Sequence, residues 1–191
     1  RLQLLLLASE RLEAAGYVAV GMDHFAHPDD DLARAVKDGS IIRNFMGYAV
    51  QAGPDMISVG PSAISDVGGV YQQNEKILSR WEKAVDSGHF AVHKGHTAQG
   101  EDRMRRWVIH QIMGRFALRW EDLQARWGVD GPDLFADALP QLRAEEPWGT
   151  VEVKEEGIFV TELGRRFVRN LAMPFDAYLP QLAGKTFSRT V

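Results

Sequence analysis

Three short stretches hold most of the residues in this chain whose types and spacing suit chemistry. The first, DHFAH, sets Asp23, His24 and His27 within five residues. Carboxylate and imidazole ligate zinc and other divalent ions, but a closed zinc site needs four ligands and no matching partner group stands elsewhere. The plainer reading is a polar loop at the mouth of a sheet, held by hydrogen bonds. The second, HFAVHKGH, spaces His89, His93 and His96 so that a helix would align them. Gly88 and Gly95 bracket that segment and Phe90-Ala91-Val92 reads as extended, so an incidental surface cluster is expected. The third, VGPSAISDVGG, invites a phosphate-loop reading yet matches neither G-x-x-x-x-G-K-[ST] nor G-x-G-x-x-G. Tight packing of a strand into a loop accounts for its glycines. No G-x-S-x-G elbow is present, and no Ser/His/Asp set assembles.

A fourth stretch is notable for what it lacks. RNFMGYAVQAGPDMISVGPSAIS, residues 43–65, has Arg43 and Asp55 as its only charges and no cysteine or histidine. It reads as a close, nearly uncharged wall at one end of a sheet.

The bulk composition bounds what such a wall serves. The 191 residues are 45% hydrophobic and 25% charged, with a net charge of −4, the profile of a globular chain able to bury a core. That balance gives no general reason to expect nucleic acid or an anionic membrane. The absence of cysteine excludes disulfides, a thiolate zinc site and a cysteine-held iron–sulfur cluster from these residues. It fits a reducing, cytoplasmic setting. The run LQLLLLAS is far shorter than the roughly 20 apolar residues of a spanning helix, and Glu10 and Glu13 come after it, unlike a signal peptide. The chain opens on Arg1, and a piece of a longer protein is expected.

The elements that must position these residues can be read from pattern. Leucines at 2, 4, 5, 6, 7 and 12 predict a helix over 2–15, buried on most of its surface and stopped by Gly16. YVAVGM predicts a buried strand, DHFAHPDDD a loop, and 29–38 a helix stopped by Gly39. DMISVGPSAI reads as a second buried strand, and QNEKILSRWEKAVDSG as a helix. This alternation predicts a parallel α/β architecture. Strand ends in such sheets would bring Asp23–Phe25, Phe45–Gly47 and Ser62–Ser65 together. Past His96–Gly100 the pattern changes. GEDRMRRWVIHQIMGRFAL is helical with an apolar stripe of Met104, Trp107, Val108, Ile112, Met113 and Phe116. EDLQARWG and GPDLFADALPQLR come next as short helices, TVEVKEEGIFVT as a hairpin, and TELGRRFVRNLAM as a helix with Thr161 as N-cap. The fold expected is α/β plus α+β, with 1–96 as one domain and 97–191 as a small helical, winged-helix-like second one. Residues 97–191 hold 13 Lys and Arg against 14 Asp and Glu, so they lack the basic footprint of a DNA-binding wing. RMRRW and GRRFVR read as solvated helix faces or as contacts to a carboxylate-rich ligand.

GYVAVGMDHFAHPDDDLA, RNFMGY, VGPSAIS, the YQQN helix and GIFVTELGRRFVRNLAMPFDAYL, in this order, resemble the distal part of oxygen-independent coproporphyrinogen III oxidases, radical S-adenosylmethionine enzymes. The resemblance implies that 1–96 is the distal part of a partial (β/α) barrel. It implies oxidative decarboxylation of two propionates of coproporphyrinogen III to vinyls, giving protoporphyrinogen IX in heme biosynthesis. It also implies a cytoplasmic, monomeric enzyme using S-adenosylmethionine and a [4Fe–4S] cluster held by three cysteines. Those cysteines would belong to an N-terminal part of the same protein, so this chain alone should be inactive. The cofactor carries the hard chemistry and the protein positions and shields it, which suits the uncharged wall. The resemblance implies that Ile64 packs on the adenine and that Phe45 and Met46 line the cofactor site. Met46 stands where the family has Gln, losing an amide donor and acceptor. Arg43 suits a forked contact to a substrate carboxylate. The alternatives are a non-oxidase relative, heme-binding or chaperone-like, and a stand-alone binding module.

Overall fold

A computed structural model describes residues 2–44, 46–50, 53 and 55–179. The described chain forms two compact units, Arg1–Gln51 with Met104–Val191 and, inserted between them, Ala52–Arg103. The first unit is thus built from two separate stretches of the sequence. The reason is the core: Val20 and Ile41 from the first stretch share one buried cluster with Ile112, Phe116 and Leu118 from the last.

In the first unit, helix α1 (Leu2–Ala14) leads to a hairpin of β1 (Val18–Gly21) and β2 (His24–Ala26). The expected DHFAH loop is thus mostly strand. Contrary to the leucine pattern, α1 exposes Leu4, Leu6 and Leu7; its buried residue is Ser9, whose hydroxyl donates to the Leu5 carbonyl. Helix α2 (Asp31–Asp38) starts where Asp30 accepts from the Leu32 amide and stops at left-handed Gly39, burying Ala33 and Ala35. A second hairpin, β3 (Ile42–Asn44) with β4 (Gly47–Ala49), completes this part.

Helix α4 (Glu101–His110) carries the chain back into this unit and ends in a π turn at Gln111–Arg115. The π turn leaves Phe116 left-handed at φ 60°. Strand β8 (Ala117–Arg119) then pairs with β10 (Gly157–Val160), which pairs with β9 (Val151–Lys154), in the order β8-β10-β9. Three short helices, α5 (Trp120–Trp127), α6 (Gly131–Leu134) and α7 (Leu139–Arg143), lie between β8 and β9 in sequence. The stripe read from sequence is the core: Met104, Val108, Ile112 and Phe116 are buried with Phe135, Ile158, Leu171 and Phe175. After β10, the Thr161 hydroxyl accepts from the Gly164 amide, as an N-cap does. A 3-10 turn, Gly164–Phe167, then leads into helix α8 (Val168–Ala172).

The second unit is a three-stranded sheet with a helix. Strand β5 (Ile64–Val67) pairs with β6 (Val70–Asn74), β6 with β7 (Val92–Thr97), and α3 (Leu78–Asp86) joins β6 to β7. The expected strand over 55–64 begins only at Ile64; before it, Met56 bridges Asp66 and Ile57 and Val59 are exposed. Ala91 and Ala98 are its buried apolar residues among those described.

Every sheet pairing among the described residues is antiparallel. In the hairpins a parallel arrangement is ruled out because the connections are too short: a parallel crossover takes a dozen or more residues. Between β5 and β6 stand only Gly68 and Gly69, both with positive φ, 58° and 82°. That is the two-residue turn of an antiparallel hairpin, which needs φ above zero at both positions.

Candidate ligand-binding site

The two hairpins of the first unit bring the DHFAH and RNFMGY residues together. The β1–β2 turn passes through Met22 at φ 51°, which sets Asp23 beside His24. The Asp23 carboxylate contacts the His24 ring at 2.9 Å, Oδ1 to Nδ1. The other face of that contact is aromatic: His24 meets the Tyr48 ring edge-on, with centroids 5.2 Å apart. Gly47 makes this approach possible, because a Cβ there would lie 2.7 Å from His24 Nε2. Asp23, His24 and Gly47 therefore share one region, as expected, whereas Ser62–Ser65, expected with them, belong to the other unit. His27 stands apart, 3.6 Å from Asp29. Among the described residues no group of three or more His, Cys, Asp or Glu is placed to hold a metal ion.

Arg43 faces Tyr48 directly across the β3–β4 ladder. Its guanidinium carbon lies 4.9 Å from the Tyr48 ring centroid. Arg43 Nη1 and Tyr48 Oη are both buried without a hydrogen-bond partner. Leaving such a group unpaired costs about 1–3 kcal/mol. Burial pushes the Tyr48 phenol up from its ordinary value, while the charge of Arg43 and a guanidinium contact short of normal hydrogen-bond geometry pull it the other way. Met46 caps the hairpin tip, 82% exposed, its amide donating to Asn44 Oδ1 at 2.8 Å. Phe45 lies outside the described residues.

A second arginine was legible only as part of GRRFVR. Arg165 places its guanidinium carbon 4.7 Å from the Phe116 ring centroid, and Phe116 in turn sits 6.2 Å from Tyr48. Arg165 Nε is also buried without a partner. Its backbone is tied down, with the Arg165 carbonyl accepting from the Met22 amide at 3.0 Å. Beside it is a cavity of about 480 Å³, lined among others by Gly21, Met22, Phe25, Val36, Lys37 and Arg165. Gly21 forms the thin wall between cavity and aromatic pair: a Cβ there would meet Tyr48 Oη at 2.5 Å and Phe116 at 3.0 Å.

Ile64 belongs to the second unit. It is half-buried on β5, opposite Gln73 of β6. The loop before it is pinned by the YQQN segment. Asn74 Nδ2 donates to the Gly60 carbonyl at 2.9 Å and Gln73 Nε2 to the Ser62 carbonyl at 3.2 Å. The VGPSAIS and YQQN motifs thus explain each other, and YQQN is strand rather than helix. The histidines of HFAVHKGH fall on and before strand β7, where His93 pairs with Glu75 at 3.4 Å and His96 lies 3.5 Å from Asp102.

No protein-family model matches the chain. It is 40% identical over all 191 residues to an oxygen-independent coproporphyrinogen III oxidase of Pseudomonas aeruginosa, and spans 42% of that protein. It is 42% identical over 181 residues to the enzyme so named in Salmonella typhimurium, spanning 40% of it. It is 36% identical over 192 residues to that of Thermostichus vulcanus, spanning 59%. The structure superposes on that of the Escherichia coli coproporphyrinogen III oxidase, described as a radical SAM enzyme, with a TM-score of 0.87 and 39% identity, covering 93% of this chain and 41% of the other. Sequence and structure together align the chain with one part of a radical SAM enzyme. More narrowly, it is similar to the C-terminal part of oxygen-independent coproporphyrinogen III oxidases, and spans only about 40–59% of the length of these relatives.

Proposed function

We propose that this chain is the C-terminal part of an enzyme that oxidatively decarboxylates two propionates of coproporphyrinogen III to vinyl groups, giving protoporphyrinogen IX in heme biosynthesis. The observation that carries the reading is the match to the Pseudomonas aeruginosa oxidase along all 191 residues. On this reading residues 1–96 are the distal part of the radical SAM barrel and 97–191 a helical, winged-helix-like domain. The enzyme is monomeric and cytoplasmic, and among the described residues no helix is long and apolar enough to cross a membrane.

The iron–sulfur cluster does not fit this chain, which has no cysteine. Its ligands belong to the N-terminal part of the same protein, and residues 1–191 alone are inactive. Exposed Leu4, Leu6 and Leu7 on α1 support such a missing neighbour. For S-adenosylmethionine, Ile64 offers a half-buried apolar surface after a pinned loop, and the family resemblance assigns Met46 and Phe45 to the same cofactor. When bound, that cofactor supplies the hydrogen-abstracting chemistry. The chain's own residues position and shield. Arg43, on its Tyr48 platform, orients a substrate carboxylate, and the rest of the nearly uncharged stretch 43–65, with Asp55 its one acid, offers few reactive groups to the reacting carbon.

A chimera tests this. The corresponding segment of the Pseudomonas aeruginosa oxidase is replaced by residues 1–191, and anaerobic turnover of coproporphyrinogen III is monitored as protoporphyrin fluorescence after oxidation. Turnover is expected, and Met46→Gln should raise it. A chimera that holds about four irons yet forms no product, with or without Met46→Gln, overturns the reading.

A further inference from the structure

We propose that the cavity beside Gly21 is a carboxylate-binding site for an acid with an apolar body, anchored by the Arg165 guanidinium. This rests on the reading above for the identity of the acid, a propionate of the tetrapyrrole distinct from the one Arg43 orients. The chemistry itself rests only on the cavity. Its volume of about 480 Å³ lies within the range of small-molecule sites. Apolar side chains, Val18, Met22, Phe25 and Val36, line much of it.

The charges on its walls are not balanced against one another. Arg166 is already paired with Glu13 at 3.0 Å. Glu162 lines the cavity too, but no ion pair joins it to Arg165 or Lys37 among the described residues. Arg165 is left with a ring face for company, a buried Nε without an acceptor, and no carboxylate among the described residues. A planar guanidinium fixed in place suits a forked carboxylate contact better than a mobile ammonium does. Two features fix it. Its ring platform, Phe116, is held by the left-handed turn after α4. The preceding residue, Gly164, packs so closely on the Thr150 carbonyl that a side chain has no room. Arg43 does not line the cavity; it stands behind Tyr48 and adds positive charge to the same region.

The test is direct binding to the chimeric enzyme that carries this chain, read by porphyrin fluorescence, and needs no turnover. Coproporphyrin III, the stable oxidised form, is compared with its tetramethyl ester on the unaltered chimera. The free acid should bind about 10- to 100-fold tighter than the ester, the worth of one charge-assisted contact. Arg165→Met should cut that preference by about 10-fold or more, and Arg165→Lys should restore part of it, with the circular dichroism spectrum unchanged. Equal binding of acid and ester overturns the proposal, as does no binding of the acid, and the ester comparison stands even if the variants misfold. A chimera that binds the acid but is inactive leaves this site standing and the oxidase reading fallen; the reverse result does the opposite.

Discussion

Replacing Tyr48 by Phe should stabilise the protein. The Tyr48 side chain is buried and its hydroxyl has no hydrogen-bond partner. An unpaired buried hydroxyl costs about 1–3 kcal/mol, which the substitution returns. Nothing else about the residue changes, since the ring that meets His24, Arg43 and Phe116 remains. The lost oxygen leaves a gap no larger than a methyl group, which costs at most about 1 kcal/mol. With the gap cost taken in full, the net gain is about 0–2 kcal/mol, or up to roughly 8 °C in Tm for a chain of this size. Thermal melts by far-ultraviolet circular dichroism, with urea midpoints at unchanged m, measure it. A variant that melts lower would show that the hydroxyl has a partner, and would remove the case that this region is built for a ligand at the expense of its own stability.

The same phenol makes the protein alkali-sensitive. Burial raises its folded value above the unfolded one. Its contribution is complete below about pH 10, the unfolded value, and is lost as pH rises through the folded value. Urea midpoints should fall as pH rises above about 10, less steeply in Tyr48→Phe; parallel profiles would count against it. In the core, Phe135 is fully buried and packs edge-to-face on Phe175 at 5.0 Å. Phe135→Ala should destabilise by about 3–5 kcal/mol, read as a lowered urea midpoint, and a loss under about 1 kcal/mol would mean that the helices around it are not closely packed.

Legibility tracked locality. The α4 stripe, the β9–β10 hairpin, the Thr161 cap and the Gly39 stop were all readable, because each depends on residues a few positions apart. Parallel against antiparallel pairing was not. Strand, helix and strand alternate in either case, and the deciding detail is a two-residue turn such as Gly68-Gly69. The leucines of α1 misled for a different reason: apolar composition says what a helix would bury, not whether the partner lies within the same chain segment. At the site, Arg43 and Met46 stood out in a motif, and Asp23 and His24 were rightly set near its Gly47. Tyr48 lay in that motif unremarked. Arg165 could be seen only as one of several cations, since its ring platform, Phe116, is 49 positions away in sequence.

The inserted unit sets the order in which this protein can be made. The first fifty residues leave the ribosome with two hairpins and two helices but without the partners of Val20 and Ile41. Those partners include Ile112 and Phe116, and the cluster they join also contains Leu171 and Phe175. At about 5–20 residues per second, the wait is on the order of 10 s, during which a separate sheet is synthesised. Apolar side chains meant for the cluster stay exposed for that time, a window for chaperones to act. Once folded, the same arrangement makes the molecule tolerant of a cut. A single nick within the inserted unit would sever the backbone, yet the pieces on either side would stay joined through the shared interior.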